Sequence, residues 1–323
     1  MVTDLEDDRH WLLEPTRHVP TLLNIYLEYA DMLAADDADL ECRETGAIFQ
    51  GGNTLVSSLT TLIGADDVAN NLAVFDFGSV DDQRSSRAAA VTKHLSASLG
   101  SDRPIRFVSS TTLPRVNQTE TVWRDGEELD IEHLGRRATD SVQPIFHIDL
   151  IICTAGQDKE GREIILIGCP RLADEILGLE RPRDFEVWCA ALDEIATDLE
   201  SDGFIVIRNP LPIIFIESGP RRGEGRTPYQ RWYMATANNV LVQSGGSANI
   251  VWLPSYGHGA WPELAATDEK NREIWRKLGF EVRDVGDFHP FAELGGALHC
   301  IAKVVHRDRL PSRIAPGKSG AKG

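Results

Sequence analysis

The alternation of short apolar strands with amphipathic helices constrains the fold of this chain most strongly. The order strand, strand, helix, strand recurs about every 60 residues, a rhythm typical of the α/β class. Apolar residues recur at helical spacing in residues 19–35, 80–99, 184–200 and 268–278. Short apolar runs predict strands that include 105–108, 164–167, 204–207, 213–216, 250–253 and 281–285. No sequence repeat accompanies this rhythm, so the recurrence is one of structural elements.

Size and charge narrow the functional classes. The 323 residues are enough for one large domain. A net charge of −17, from 50 acidic against 33 basic residues, argues against a nucleic-acid partner and favours a small cationic ligand. The simpler alternative is that an acidic surface keeps the protein soluble. No apolar run approaches the length of a membrane span and the acidic N-terminus does not resemble a secretory signal, so we expect no membrane partner.

The cysteines point to a reducing, cytoplasmic setting. There are five, at positions 42, 153, 169, 189 and 300, an odd number without any CxxC pair. This pattern suggests neither a zinc site nor a disulfide framework. Three histidines in the last quarter of the chain, 258, 289 and 299, could bind a metal, but surface or loop positions are the ordinary interpretation.

A stretch near the C-terminus combines two glycines with a cysteine. Gly295 and Gly296 lack a Cβ, which lets their backbone approach a ligand closely. The apolar run 298–305 that follows predicts a strand with Cys300 in its middle, on which His299 would face away from Cys300. A lone cysteine in such a run is usually a small buried hydrophobe.

A second stretch gives that cysteine more weight. In the apolar run 146–152, His147 and Asp149 are two positions apart. Strand side chains alternate, so both would lie on one face, where a buried polar pair needs a reason. The ordinary explanation is that His147 is a hydrogen-bonded histidine of the core, held in place by Asp149.

These motifs, in this order, resemble the guanidino-modifying enzyme superfamily, the penteins, which includes agmatine deiminase, arginine deiminase, peptidylarginine deiminase and arginine:glycine amidinotransferase. The family's Gly-rich turn before His-Cys is similar to residues 295–300, and its His-x-Asp is similar to 147–149. Its early Glu-Gly-Gly-Asn/Asp resembles Gln50-Gly51-Gly52-Asn53. Its Asn-containing penultimate strand resembles residues 237–241, which include Asn239.

The resemblance implies a pentein α/β-propeller, with five β-β-α-β units around a pseudo-fivefold axis and a site in the central channel. It covers roughly residues 43–306 as the catalytic domain. Residues 1–42 would then be a helical extension or an incomplete first unit. The basic tail 307–323, rich in Pro, Gly and Ser, is expected to be disordered.

Two departures from the family pattern concern its acids. Gln50 stands where the family has glutamate, so one expected carboxylate is missing. The usual N-terminal Arg-Asp block is not recognisable either. Glu44 is the nearest substitute, with Glu41 and the Asp36–Asp39 cluster as rivals.

The resemblance implies a cysteine-dependent hydrolysis of a guanidino substrate to a ureido product and ammonia. Cys300 would attack the guanidinium carbon and form a thiouronium-like intermediate, and His147 would move protons. The implied substrate-binding residues are Asp149, Gln50, Asn53, Glu44 and Asn239. No metal or organic cofactor is required. The two asparagines could instead be turn residues.

Two alternatives stay open at this point. An amidinotransferase would use the same residues but pass the amidino group to an amine acceptor. A catalytically inactive pentein would serve as a binding protein, which the missing glutamate favours. The sequence leaves open which guanidine is the substrate and whether the chain forms a homo-oligomer.

Overall fold

The computed structural model describes residues 45–77, 87–112, 143–180, 186–214, 232–244 and 248–302 in full. It also gives the backbone of residues 2–3, 10–14, 40–44, 84–86, 119–124, 127–132, 215–218 and 229–231. The predicted helix at 19–35 and the predicted tail at 307–323 lie outside these ranges.

The strands of the described residues are short, and they form four three-stranded sheets and one four-stranded sheet. In chain order they are β1 Val2–Thr3, β2 His10–Glu14, β3 Leu40–Glu44, β4 Thr54–Val56, β5 Thr61–Gly64, β6 Ile105–Val108, β7 Thr119–Arg124, β8 Glu127–Glu132, β9 Ile152–Gln157, β10 Glu163–Cys169, β11 Ile205–Pro210, β12 Ile213–Ser218, β13 Tyr229–Met234, β14 Leu241–Gln243, β15 Ile250–Ser255 and β16 Glu281–Asp287. The helices are α1 Ala65–Val74, α2 Arg84–Leu99, α3 Pro170–Leu177, α4 Glu186–Ser201, α5 Ala265–Lys277 and the short α6 His289–Ala292.

The four three-stranded sheets share one pairing pattern. In each, the middle strand is antiparallel to the strand before it and parallel to the strand after it. A parallel pair needs a long crossover connection, usually helical. Helices α1 and α2 connect β5 to β6, α3 and α4 connect β10 to β11, and α5 connects β15 to β16. The predicted α/β class is therefore confirmed, and the predicted strand-strand-helix-strand order is found in these three sheets.

The fifth sheet combines distant parts of the chain. Its order is β12-β13-β8-β7, with β8 and β13 parallel and the outer pairs antiparallel. Strands β7 and β8 pair antiparallel inside residues 111–140, a polar stretch whose composition favours a loop-rich connection. The apolar residues Val122, Leu129 and Ile131 do not predict strands by themselves, because most of their neighbours are acidic or polar.

The apolar stripes of the helices build the core. On α4, Trp188, Leu192 and Ile195 are buried in one cluster with Ile165 of β10, and the rings of Trp188 and Trp232 meet edge to face with centroids 5.3 Å apart. On α2, buried Val91 and Leu95 pack in a second cluster. Burial of each side chain of this size contributes about 1.5–3 kcal/mol to the stability of the fold. The apolar stripes therefore hold the helices against the sheets.

The N-terminal residues are partly strand. Strands β1, β2 and β3 form a sheet with the same pairing pattern as the others, and β3 ends at Glu44, just before the first fully described residues. The side chain of Glu44 lies outside what the structure describes. Where the structure describes helices, none is long and apolar enough to cross a membrane.

Candidate active site

Four irregular segments form the candidate site; three of them adjoin a short strand, and the fourth follows helix α6. They are the Gly-rich turn 50–53, the segment 146–151, the segment 235–240 and the loop 293–301. Polar side chains from each segment hydrogen bond to backbone or side-chain groups of another. Residues far apart in the chain are therefore held in one network.

The segment that carries His147 and Asp149 is not the strand that the sequence predicts. His147 is extended, with φ −133° and ψ 130°, but Ile148–Leu150 form a turn of 3₁₀-helix, and β9 begins only at Ile152. The physical reason is that the Asn53 side chain takes the place of a neighbouring strand as the hydrogen-bond partner of this backbone. Asn53 Oδ1 accepts the backbone N–H of Ile148 at 3.1 Å. The turn is closed by a bond from the Ile151 N–H to the Ile148 carbonyl, at 3.0 Å.

His147 and Asp149 nevertheless share a neighbour, Gly52. A Cβ added to Gly52 would lie 2.5 Å from His147 Nδ1 and 3.1 Å from Asp149 Oδ1. Real Cβ atoms do not approach so closely, so only glycine fits between the Gly-rich turn and these two side chains. Close packing against His147 and Asp149 therefore explains why the second glycine of the motif is needed.

The stretch that carries Cys300 is also a turn, where the sequence predicts a strand. His299–Ile301 form a 3₁₀-helix, and the preceding Gly295 has a φ of +87°, a value that favours glycine. Asn239 Oδ1 accepts the backbone N–H groups of His299 at 2.8 Å and Cys300 at 3.3 Å. Two N–H groups bound to one buried amide oxygen cannot belong to a regular strand ladder.

The turn changes the position of His299. A strand would turn His299 away from Cys300, whereas residues of a 3₁₀-helix are about 120° apart around its axis. The His299 ring lies in the site, with its Nδ1 donating to Asp149 Oδ2 at 2.8 Å. The sequence reasoning missed this residue, although it stands in the His-Cys motif, because the period of two was applied to a segment without strand geometry.

Asn239 holds Cys300 from both ends of its amide. Its Oδ1 binds the turn, as described, and its Nδ2 lies 3.4 Å from Cys300 Sγ. Asn239 is fully buried, whereas Cys300 is exposed. A Cβ added at Gly296 would lie 3.4 Å from this sulfur, so the glycine leaves space beside it. The thiol is therefore held by a buried amide on one side and remains accessible on the other.

Gln50 contacts His147 directly. Gln50 Oε1 and His147 Nε2 are 2.7 Å apart. An amide oxygen only accepts hydrogen bonds, so the ring carries a proton on Nε2. In neutral His147 the lone pair is then on Nδ1, the nitrogen beside Gly52 and Asp149.

Asn53 lies behind the site. It is fully buried, and its Oδ1 accepts from Gln143 Nε2 at 2.8 Å as well as from the Ile148 backbone. Its Nδ2 donates to Asp67 Oδ1 at 3.4 Å. With its amide engaged by protein groups, Asn53 positions the segment that carries His147. Asp67 was not singled out in the sequence, since α1 was not predicted, and neither was Gln143, whose partner Asn53 is 90 residues away in the chain.

The electrostatics of the site favour the neutral forms of His147 and Cys300. Burial lowers the pKa of His147, opposed by the Asp149 charge and reinforced by His299. Cys300 is exposed as a residue, but partial burial of its thiol raises the pKa of that thiol, and the negative charge of Asp149 raises it further, whereas hydrogen bonds from Asn239 and the backbone lower it. Asp149 thus acts on the pKa of both residues, which connects the thiol and the imidazole electrostatically.

Asp149 carries an unsatisfied atom. The residue is 1% exposed, and its Oδ2 is bound by His299. Its Oδ1 is buried and has no hydrogen-bond partner among the described residues. An unpaired buried acceptor costs about 1–3 kcal/mol, more if it is charged. This atom is suited to an N–H donor from outside the chain.

Among the described residues, no group of His, Cys, Asp and Glu is arranged to hold a metal ion. His289, one of three histidines considered in the sequence, is buried between Tyr233 and the Tyr256 carbonyl. His258 is bound to Ser255, at 2.7 Å.

The chain has matches among solved structures but none among family models or curated proteins. Among solved structures 63 chains match. One is a cysteine-to-serine mutant of DDAH from Pseudomonas aeruginosa complexed with citrulline, at 10% identity. The alignment covers 90% of this chain and 96% of that one, with a TM-score of 0.24, too low for an argument about fold or function.

Proposed function

We propose that this protein is a guanidino-modifying hydrolase that uses Cys300 as its nucleophile. The observation that carries the proposal is Asp149, whose Oδ2 binds His299 and whose buried Oδ1 lacks a partner in the described part of the chain. A guanidinium is planar, cationic and rich in N–H donors, which suits such a carboxylate oxygen. Asp149 also acts on the pKa of both Cys300 and His147.

The first half of the reaction forms a covalent adduct. The bound cation stabilises the thiolate, and the thiol proton passes to Nδ1 of His147. The sulfur attacks the central carbon, and a C–S bond forms. The imidazolium then gives its proton to one nitrogen as the C–N bond breaks. Ammonia leaves, and a thiouronium cation stays on Cys300.

The second half hydrolyses the adduct. Neutral His147 takes a proton from water as the oxygen adds to the carbon. The C–S bond then breaks, the departing sulfur regains a proton from the new hydroxyl group, and the imidazolium releases its proton to the solvent, where the ammonia that has left becomes ammonium. A neutral ureido group is the product. Neutral His147 and a protonated thiol, which the pKa directions favour at rest, are restored.

The exposure of Cys300 favours hydrolysis over amidino transfer. A transferase has to keep water from its covalent intermediate until the acceptor amine arrives, whereas a hydrolase needs water at that point.

We also propose that the α/β fold is a pentein propeller. This proposal is supported by the pairing pattern that the four three-stranded sheets share.

The test is an assay for ammonia and ureido product over a panel of guanidines, including arginine, agmatine and a peptide arginine, with Cys300→Ala as the blank. We expect stoichiometric ammonia and ureido product from at least one of them without any added amine. Product that forms only in the presence of glycine or ornithine would replace the hydrolase with the transferase. If the whole panel is inert and Cys300 is not labelled by a haloacetamidine, the binding-protein alternative holds.

A further inference from the structure

The hydrogen bond between His299 and Asp149 connects two segments that lie far apart in the chain. His299 Nδ1 donates to Asp149 Oδ2 at 2.8 Å, across 150 residues. A carboxylate only accepts hydrogen bonds, so the proton lies on Nδ1, and the neutral ring has its lone pair on Nε2. The side chain of His299 is 34% exposed and that of Asp149 is 2% exposed. The bond therefore runs from a partly exposed ring to a buried carboxylate.

The orientation of the Asp149 carboxylate depends on this bond. Among the described residues, His299 is the one hydrogen-bond donor to the Asp149 side chain, since Oδ1 has no partner there. A Cβ added to Gly52 would lie 3.1 Å from Oδ1, so the Gly-rich turn borders that oxygen without bonding to it. The terminal torsion of an aspartate side chain is broad, and packing alone fixes its two oxygens weakly. With Oδ2 bound to the imidazole, Oδ1 is the oxygen that remains for a ligand.

The loop that carries His299 has other contacts that keep its shape. Asn239 Oδ1 accepts the backbone N–H of His299 at 2.8 Å. Ala297 is fully buried in a cluster of apolar side chains, and Leu298 packs against that cluster. The Cys300 N–H bonds to the Ala297 carbonyl at 3.2 Å. A side-chain bond that served only to hold the loop would therefore duplicate contacts that are already present.

The segment that carries Asp149 is also fixed by other bonds. The Ile148 N–H donates to Asn53 Oδ1 at 3.1 Å, and Thr236 Oγ1 donates to the Leu150 carbonyl at 2.6 Å. These bonds hold the backbone on both sides of Asp149, but they do not fix the direction of its side chain. The bond to the imidazole is the one that acts on the carboxylate itself.

We propose that His299 is a positioning residue that aims Asp149 Oδ1 at the guanidinium group and thereby sets how tightly a guanidine binds. The inference rests on the proposed function, from which it takes a guanidinium as the ligand of Asp149. Asn239 Oδ1 holds the backbone N–H groups of both His299 and Cys300. His299 therefore links the oxygen that binds the cation to the sulfur that attacks it, while proton transfer stays with His147.

The test measures guanidinium binding without turnover. Alkylation of Cys300 by iodoacetamide is followed as guanidinium chloride replaces sodium chloride at constant ionic strength, because a cation at Asp149 favours the thiolate. The guanidinium concentration that gives half of the effect should rise about tenfold in His299→Ala, since a charge-assisted hydrogen bond loses its geometry. His258→Ala is the matched control. It removes a histidine whose ring bonds to Ser255 at 2.7 Å, and it should leave that concentration unchanged.

A conservative variant separates positioning from other roles of the ring. Nδ2 of asparagine is bonded to Cγ, as Nδ1 of histidine is, so His299→Asn keeps an N–H donor at the same place along the side chain. It should bring the half-effect concentration back to within about twofold of the wild-type value. For any guanidine that reacts, KM should follow the same order while kcat stays within about threefold in both variants. A large loss of kcat in His299→Asn with KM unchanged would overturn the inference, because the ring would then transfer protons.

A measurement on the wild type does not depend on whether the variants fold. ¹⁵N NMR of histidine-labelled protein should show the neutral His299 ring with its proton on Nδ1. A proton on Nε2 would overturn the inference, because Nδ1 could then not donate to Asp149. Equal half-effect concentrations in the wild type and His299→Ala would overturn it too, as would a wild type whose alkylation does not respond to guanidinium. If no guanidine is turned over but guanidinium binding changes as expected, the proposed function fails and the positioning role of His299 stands.

Discussion

Two adjacent asparagines place amides beside two different cysteines, and the two regions differ in almost every other respect. Asn239 lies 3.4 Å from the sulfur of Cys300, which is exposed. Asn238 lies 4.0 Å from the sulfur of Cys153, which is 4% exposed. The same side-chain pair thus occurs once at a surface site and once in the core.

The partners of the two asparagines explain the difference. Asn238 bonds to the Leu166 carbonyl at 3.3 Å and exchanges bonds with Asn209, which continues to Asn271, so its amide is used within the core. Asn239 instead binds the turn that presents Cys300. Burial raises the pKa of both thiols, but only Cys300 has a carboxylate and an approach for a ligand. A cysteine–asparagine contact therefore signals a site only where the sulfur is accessible.

The largest expected effect separates the two cysteines. Cys300→Ala should lower turnover of the substrate at least about a thousandfold, because the nucleophile is lost. Cys153→Ala should leave kcat within about twofold and cost about 1–2 kcal/mol of unfolding free energy, as for a small buried group. Steady-state kinetics and urea unfolding measure both. Equal rates for the two variants would remove Cys300 from the mechanism.

The next effect tests the fit of the Gly-rich turn against the site. Gly52→Ala should displace His147 or Asp149, since the new Cβ would meet His147 Nδ1 at 2.5 Å, and lower kcat about a hundredfold, a cost typical of a 1 Å misplacement. Gly51→Ala is the matched control, because a Cβ there meets nothing within 4 Å. Similar rates for both variants would contradict the close packing.

A third experiment compares how replacing Asn239 and replacing Asn238 change kcat and the free energy of unfolding. Asn239→Ala should lower kcat about tenfold, because the turn of Cys300 loses its acceptor, with a smaller change in stability. Asn238→Ala should cost about 2–3 kcal/mol of unfolding free energy, since buried partners are left unpaired, while kcat of the folded protein changes little. If both variants lose stability and neither loses rate, the comparison of the two regions fails.

The smallest expected effect concerns the thiol itself. Alkylation of Cys300 by iodoacetamide should increase about tenfold per pH unit and keep rising past pH ~8.5, because its pKa lies above the ordinary thiol value and the thiolate reacts. Millimolar guanidinium should accelerate it about threefold at pH 7 over sodium at equal ionic strength. Mass spectrometry of both cysteines provides the control, since Cys153 should stay unlabelled. Labelling that levels off below pH ~8 would contradict the raised pKa.

The regular elements followed from the sequence wherever a stripe or an alternation was strong. Helices α2, α4 and α5 and strands β6, β11, β12 and β15 appear within a few residues of their predicted positions. Helix α1 was missed because its stripe is short and interrupted by acids and asparagines, and two of these, Asp67 and Asn71, are buried for reasons that a local pattern does not carry. The sequence grouped Cys300, His147, Asp149, Gln50 and Asn239 by type and spacing, and hydrogen bonds connect the segments that carry them, while their roles stay predictions.

By itself the sequence determined which side chains are available for chemistry and the α/β order of elements, since periodicity is a local property. The tertiary structure decided how the candidate site residues are positioned. Asn53 and Asn239 reach across 95 and 60 residues to bind backbone N–H groups, and these bonds convert two apolar runs from strands into turns. Contacts between distant residues leave no mark in a local pattern, and for that reason His299 and Asp67 emerged only from the folded chain.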